Sequence, residues 1–111
     1  MTTDQSVPEV PASAVPEDAW LLDVREPYEW EAGHVPDATH IPLMQLGQRT
    51  EEIPKDQTVY VICRSGNRSA RATAALTGAG WQAVNVGGGM NDWAAAGRPM
   101  VSDSGAAPTV A

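Results

Sequence analysis

The sequence predicts an α/β fold with a mostly parallel five-stranded sheet. Val59-Tyr60-Val61-Ile62 is an almost purely apolar and β-branched run, which is typical of a strand buried on both faces of a parallel sheet. A short polar loop and an alanine-rich segment at residues 69–79 follow it, and this segment favours a helix. Residues 81–86 then return as a parallel strand.

The N-terminal quarter supplies two of the expected strands. Residues 1–8 are polar and end in a proline, and we expect a flexible tail there. Glu9-Val10 is expected to be a short edge strand, and residues 12–19 a loop with a brief helical turn. Residues 20–24 are apolar on both faces until Asp23, which indicates a second buried strand.

Pro27 begins the first expected helix, over residues 27–32. Proline suits a first helical position, acidic side chains suit the positive end of a helix, and Gly33 ends it. Residues 39–41 are expected to form a short strand. A short helix is expected within residues 42–52, with three apolar side chains facing the core: Leu43, Met44 and Leu46.

The C-terminal third closes the predicted domain. Gly78 and Gly80 end the alanine-rich helix, and three glycines after Val86 let the backbone pass close to a neighbouring loop. The last helix is expected over residues 90–96, capped by Asn91 and Asp92, with Trp93 packed inward or, alternatively, placed as a lid over the site. The predicted domain covers residues 9–101, followed by a flexible tail at residues 102–111.

Cys63, the only cysteine, lies between the central strand and its helix. Helix N-terminal N–H groups and those of a loop at Gly66 and Asn67 can form an anion-binding nest, which would lower the pKa of the thiol. A buried, inert cysteine is the alternative, but a core does not favour the polar residues that follow. The candidate anion-binding residues are Arg64, Ser65, Gly66, Asn67, Arg68 and Ser69.

The net charge and the single cysteine limit the expected partners and the expected cellular location. A formal charge of −7 and a pI near 4.5 argue against nucleic acid or an anionic membrane as a partner. With one cysteine, any intermediate formed on Cys63 must be discharged by an outside molecule. No signal peptide or membrane-spanning run is apparent, so we expect a cytoplasmic protein with a reduced thiol.

Three other residues near the predicted site allow more than one role. Asp23 and Arg25 follow a strand at the sheet edge where functional groups collect; they could brace the Cys63 loop, but a structural ion pair is favoured. His34 could form a dyad with Cys63, although the loop can ionise the thiol without it. Two histidines and one cysteine make no recognisable metal-ligand spacing, so neither a metal nor another cofactor is expected.

The residues from Cys63 to Ser69 closely resemble the active-site loop of the rhodanese-like sulfurtransferases. Three further stretches resemble other motifs of that family: Leu21 to Glu26, Gly33 to Ala38, and Val86 to Trp93 with Ala96-Gly97-Arg98-Pro99. One departure is Asp37, where the family usually has glycine. The resemblance spans about residues 9–101 and implies a three-layer fold, with helices on both faces of the sheet and His34 in a structural turn.

This resemblance implies a transferase that moves a sulfane sulfur from thiosulfate or a similar anionic donor to cyanide or a thiol through a Cys63 persulfide. Arg64 or Arg68 would bind the donor. A cysteine-dependent phosphatase or arsenate reductase needs a longer loop than the four residues between Cys63 and Arg68. A non-catalytic module, or a sulfur carrier serving one partner protein, stays open as an alternative.

Overall fold

The computed structural model describes residues 7–111 and shows a five-stranded sheet in which every pairing is parallel. Its order is β1-β5-β4-β2-β3, so β4 lies at the centre, as expected for the strand that precedes Cys63. The strands are β1 (Glu9–Pro11), β2 (Trp20–Asp23), β3 (Thr39–His40), β4 (Val59–Ile62) and β5 (Ala83–Gly87). The predicted α/β sheet is confirmed, whereas residues 1–6 of the expected N-terminal tail lie outside the described residues.

Residues 7–111 form three α-helices: α1 (Pro27–Ala32) and α2 (Asn67–Gly78) connect strands, and α3 (Gly89–Ala95) follows β5. The bounds of α1 agree with the prediction, because Pro27 opens it and a reciprocal pair of hydrogen bonds between Glu26 and Glu29 caps it. Among residues 7–111, every helix is too short or too polar to cross a membrane.

The helices cover both faces of the sheet, which gives the expected three layers. One face packs Leu22 and Val61 against Ala72 and Leu76 of α2, among other residues. The opposite face packs Leu21, Ile62 and Val86 against Met90 and Trp93 of α3. Neighbouring residues of one strand are therefore buried on opposite faces, which explains the near-continuous apolar runs.

The prediction for residues 42–52 is partly wrong. This stretch forms two 3₁₀ turns, Leu43–Gln48 and Thr50–Glu52, instead of an α-helix. Leu46 is buried, but Met44 is 86% exposed. A 3₁₀ helix has three residues per turn, so its apolar face is narrower than that of an α-helix and does not include Met44.

Two predictions about where helices begin are also wrong. Asn91 and Asp92 do not cap α3, because Gly88 occupies the cap position at φ 75° and no side chain caps it. Helix α2 begins at Asn67, two residues earlier than predicted. Trp93 packs inward, 2% exposed, with its Nε1–H donating to the carbonyl of Pro99 at 2.9 Å.

Asp37 takes the conformation that glycine prefers. Its φ is +68°, in the left-handed region where aspartate and asparagine are the best-tolerated residues after glycine. The substitution therefore keeps the turn before β3.

Residues 102–111 lie along α1 and the loop after β4. The N–H of Thr109 donates to the carbonyl of Ala32 at 2.9 Å, and Arg64 Nε donates to the backbone oxygen of Ala111 at 3.0 Å. Val110 packs against the core face that contains Trp93. The flexibility expected for this tail stays a prediction.

Candidate functional site

Cys63 is the first residue after β4, at the carboxyl edge of the sheet. The chain turns sharply there, since only residues 63–66 separate β4 from α2. Gly66 makes the turn with a φ of +104°, a backbone conformation that other residues rarely adopt. The result is a sulfur placed directly at the N-terminus of α2.

Three hydrogen bonds surround the Cys63 sulfur. The N–H of Gly66 donates to Sγ at 3.1 Å, the N–H of Ser69 at 3.3 Å and the Ser69 hydroxyl at 3.2 Å. Burial of the thiol, which is 1% exposed, acts to raise its pKa. The hydrogen bonds from Ser69 and Gly66 outweigh burial, and the pKa of Cys63 lies below its usual value.

The N-terminus of α3 supports the loop from behind. The N–H of Met90 donates to the carbonyl of Cys63 at 2.8 Å, and the N–H of Asn91 donates to the carbonyl of Arg64 at 3.0 Å. Gly89 makes this approach feasible, because a Cβ there would collide with the Cys63 and Arg64 carbonyls. The predicted close passage of the glycine run beside a neighbouring loop is thus present.

Arg68 is held by a carboxylate that sequence analysis missed. Its Nη1 and Nη2 donate to the two oxygens of Glu29 at 2.7 and 2.9 Å, and this bidentate pair lowers the pKa of Glu29 and raises that of Arg68. The Glu29 side chain is 3% exposed. Arg68 therefore braces α2 against α1, with both terminal nitrogens already engaged.

Arg64 differs from Arg68 in its surroundings. Its side chain is exposed. Within residues 7–111, its guanidinium makes one hydrogen bond, to the backbone oxygen of Ala111. Ser65 and Asn67 are exposed beside it. Of the two arginines expected to bind a donor, Arg68 is paired with Glu29, whereas Arg64 is paired with no acidic side chain among residues 7–111.

Asp23 and Arg25 form a fully buried ion pair at 2.8 Å. Arg25 Nη2 also donates to the carbonyl of Gly33 at 2.8 Å, which ties the end of β2 to the end of α1. Their side-chain hydrogen bonds run to each other and to Gly33, not to the Cys63 loop. This is the geometry of the structural ion pair that the sequence favoured.

His34 does not lie in the expected turn but forms an antiparallel bridge with Val101, just before the turn at residues 36–37. Its side chain has other partners than Cys63. Its Nδ1 is 2.7 Å from the carbonyl of Trp30, and its ring stacks on the Trp30 indole with centroids 3.7 Å apart. Among residues 7–111, no group of three or more histidine, cysteine, aspartate or glutamate side chains is placed to hold a metal ion.

Asn85 of β5 also reaches the loop and was missed. Its Nδ2 donates to the carbonyl of Gly66 at 3.2 Å and to Glu9 Oε1 at 2.9 Å. One available signal was the polar side chain inside the apolar run Ala83-Val84-Asn85-Val86. Glu29 had no comparable signal, since it lies 39 residues from Arg68.

The sequence model and the relatives that match this chain point to one family. The sequence model of the rhodanese-like domain family matches residues 11–96. A sulfurtransferase from Allochromatium vinosum is 42% identical over 90 residues, which cover 80% of this chain and 84% of that protein. The thiosulfate sulfurtransferase GlpE of Pseudomonas syringae is 36% identical over 95 residues, covering 84% and 90% of the two chains.

A third relative is much longer. The adenylyltransferase and sulfurtransferase uba4 of Ogataea parapolymorpha is 37% identical over 90 residues, which are 79% of this chain but only 22% of that protein. Among solved structures, a rhodanese-related protein from Thermoplasma volcanium superposes with a TM-score of 0.80 at 34% identity, over 85% of this chain and 97% of that one.

Proposed function

Because this chain belongs to the rhodanese-like domain family, we propose that it moves a sulfane sulfur from thiosulfate or a similar donor to cyanide or a thiol. The observation that carries the proposal is the ring of three donors around the buried Cys63 sulfur. Such a ring stabilises a negative charge on sulfur, and the thiolate is the nucleophilic form of cysteine.

In the first step, the Cys63 thiolate attacks the outer sulfur of thiosulfate. A sulfur–sulfur bond to Cys63 forms, the bond inside thiosulfate breaks with its electron pair, and sulfite leaves. The enzyme then carries a persulfide anion, which the N–H groups of Gly66 and Ser69 are placed to stabilise. Arg64 is the candidate for binding the anionic sulfur donor, since the Arg68 guanidinium is already paired with the Glu29 carboxylate.

In the second step, an outside nucleophile removes the sulfur. Cyanide or a thiolate attacks the outer persulfide sulfur, and Cys63 leaves as the thiolate with the electron pair of the broken bond. The chain has one cysteine, so it offers no internal thiol for this step. The lone reduced thiol also suits the cytoplasm, where thiols stay reduced.

A protein acceptor is the second candidate for this step. One relative combines an adenylyltransferase and a sulfurtransferase in one protein, of which this chain matches about a fifth. That arrangement supports delivery of the sulfur to a protein instead of a small thiol. In that case the protein acts as a sulfur carrier, and turnover with cyanide is incidental.

Intact-mass measurement tests the proposal. Incubation with thiosulfate is expected to add one sulfur, about 32 Da, which a reducing thiol or cyanide removes. Cys63→Ser should show no addition, because it lacks the nucleophile. An unchanged mass with thiosulfate and with an organic persulfide would instead support a non-catalytic binding module.

A further inference from the structure

Asn85 is a buried polar residue that the proposed chemistry does not use. It is 1% exposed and lies in β5 between Val84 and Val86. A buried amide in an apolar strand costs free energy unless its polar groups are hydrogen-bonded. An aliphatic side chain would suit this position better if packing were its only task.

The hydrogen bonds of Asn85 are one-sided. Its Nδ2 has two acceptors, Glu9 Oε1 at 2.9 Å and the Gly66 carbonyl at 3.2 Å. Its Oδ1 is buried without a partner among residues 7–111. The amide donor is therefore the part of this side chain that is satisfied, and it is directed at the loop that holds Cys63.

Gly66 connects Asn85 to the sulfur. Its N–H donates to Cys63 Sγ at 3.1 Å, while its carbonyl accepts from Asn85 and from the N–H of Ala70. Gly66 has a φ of +104° and no side chain of its own to fix it. The N–H and the carbonyl of Gly66 belong to the two peptide units that meet at its Cα. A hydrogen bond that holds the carbonyl therefore also limits how the N–H can turn.

Glu9 orients the Asn85 amide from the edge of the sheet. The two residues are register partners in the parallel pairing of β1 and β5. The Glu9 carboxylate selects the rotamer that turns Nδ2, and not Oδ1, toward Gly66, since a carboxylate accepts hydrogen bonds and cannot donate them. Glu9 itself is exposed.

We propose that Asn85 is a positioning residue for sulfur transfer: it holds the Gly66 carbonyl so that the Gly66 N–H stays directed at the Cys63 sulfur, and Glu9 orients its amide. This inference rests on the proposed function for its catalytic meaning. The chain of hydrogen bonds from Glu9 of β1 through Asn85 of β5 and Gly66 to the Cys63 sulfur can be tested independently of sulfur transfer.

Asn85→Leu keeps the volume of the side chain close to native and removes the donor. We expect the Cys63 pKa, followed by the ultraviolet absorbance of the thiolate during titration, to rise by about one unit. At a pH below the native Cys63 pKa, sulfur loading from thiosulfate should fall roughly tenfold in kcat, because the thiolate fraction falls tenfold, with KM for the donor within about twofold. The charged pairs beside the loop, Asp23 with Arg25 and Glu29 with Arg68, stay unchanged in this variant.

Two variants at the exposed Glu9 keep the test independent of whether Asn85→Leu folds. Glu9→Gln retains an oxygen that can accept from Asn85, whereas Glu9→Ala does not, and both remove the same charge. Glu9→Ala is expected to raise the Cys63 pKa relative to Glu9→Gln and to slow loading in the same proportion. Equal titrations of these two variants would contradict the orienting role of Glu9.

Trp81→Phe is the matched control for a lost internal hydrogen bond. Trp81 Nε1–H donates to the carbonyl of Ile53 at 3.1 Å, away from the loop. This variant should lose stability without a change in the Cys63 titration. The proposal is overturned if Asn85→Leu titrates like the native protein, or if Trp81→Phe shifts the titration equally. A native protein that takes up no sulfur would contradict the proposed function alone, because the titration still reports on Asn85.

Discussion

Ser69 supplies two of the three donors that surround the Cys63 sulfur, one from its hydroxyl and one from its N–H. Ser69→Ala removes the hydroxyl donor alone. We expect the Cys63 pKa to rise, because the thiolate loses a hydrogen bond while its burial is unchanged. The pH at which sulfur loading reaches half its maximum should rise by the same amount, since only the thiolate attacks the donor.

Thr77→Ala serves as the control for Ser69→Ala, because Thr77 is an exposed residue of the same helix. It should leave the pH profile of loading unchanged. A Ser69→Ala variant with the native profile would show that the backbone donors of Gly66 and Ser69 alone set the ionisation of Cys63.

Glu29→Gln tests the pair that links α1 to α2. The buried carboxylate receives two charge-assisted hydrogen bonds from Arg68, so its loss should cost about 1–3 kcal/mol of the free energy of unfolding at neutral pH. The pKa of Glu29 is lowered in the folded protein. Its stabilisation is therefore complete above the unfolded-state pKa of about 4.3 and is lost as the pH falls through the lower folded value.

Denaturant unfolding of the two proteins at several pH values checks this prediction. At pH 7 the free energy of unfolding should be higher for the native protein than for the Gln variant, and this difference should shrink below about pH 4. A difference that is constant down to acid pH would mean that packing, and not charge, accounts for the role of Glu29.

The residues of the site were predictable to different degrees. Cys63 and its loop stand together in the sequence, and polar residues beside a lone cysteine indicate chemistry. Glu29 and Asn85 reach the same loop from residues far away in the chain. Nothing in the sequence around either residue indicates which distant residue it contacts. Only the folded chain brings the partners together.

Helix α3 provides the test at the scale of an element. Gly89→Ala would place a Cβ 2.7 Å from the Arg64 carbonyl carbon, at a φ of +55°. Neither atom can move without displacing the loop after β4. We expect a loss of about 2–4 kcal/mol in the free energy of unfolding, together with slower sulfur loading in the fraction that folds.

Gly78→Ala is the matched control for Gly89→Ala. Gly78 lies in α2, and a Cβ there would meet nothing within 4 Å. Alanine favours a helix over glycine by about 0.5–1 kcal/mol, so this variant should be as stable as the native protein or slightly more stable. Equal losses at the two glycines would contradict the close approach of α3 to the loop.

The error at residues 42–52 also belongs to this scale. Leu43, Met44 and Leu46 have the spacing of an apolar face, but the segment is bounded by Pro42 and interrupted by Gly47. Short 3₁₀ turns result, in which Leu46 faces the core and Met44 faces outward. Apolar content predicts burial on average, whereas the turn type decides which side chain is buried.

At the scale of the whole molecule, the sheet was the most predictable feature. Apolar runs such as Val59–Ile62 are buried on both faces, and this pattern identifies a parallel sheet before any pairing is known. The strand order β1-β5-β4-β2-β3 depends on how the connections cross, which local sequence does not show. The cap of α3 was mispredicted for a related reason, because its N-terminus is occupied by the Cys63 loop.

The segment at residues 102–111 is open to a direct test. Under the predicted flexibility, the amide hydrogen of Thr109 should exchange nearly as fast as in an unfolded peptide, despite its hydrogen bond to Ala32. The amide of Val61, inside the sheet, is the slow reference. Protection of Thr109 close to that of Val61 would instead show that the segment is a fixed part of the fold.

The 1% exposure of the Cys63 side chain makes the site a size filter. A sulfur that is ionised but enclosed is reactive in principle, yet only slim reagents can approach it without displacing the backbone around it. Bulky electrophiles are excluded by shape, whatever their intrinsic reactivity. The hydrogen bonds that favour the thiolate therefore act inside an enclosure that protects it from side reactions to which an accessible nucleophile is open.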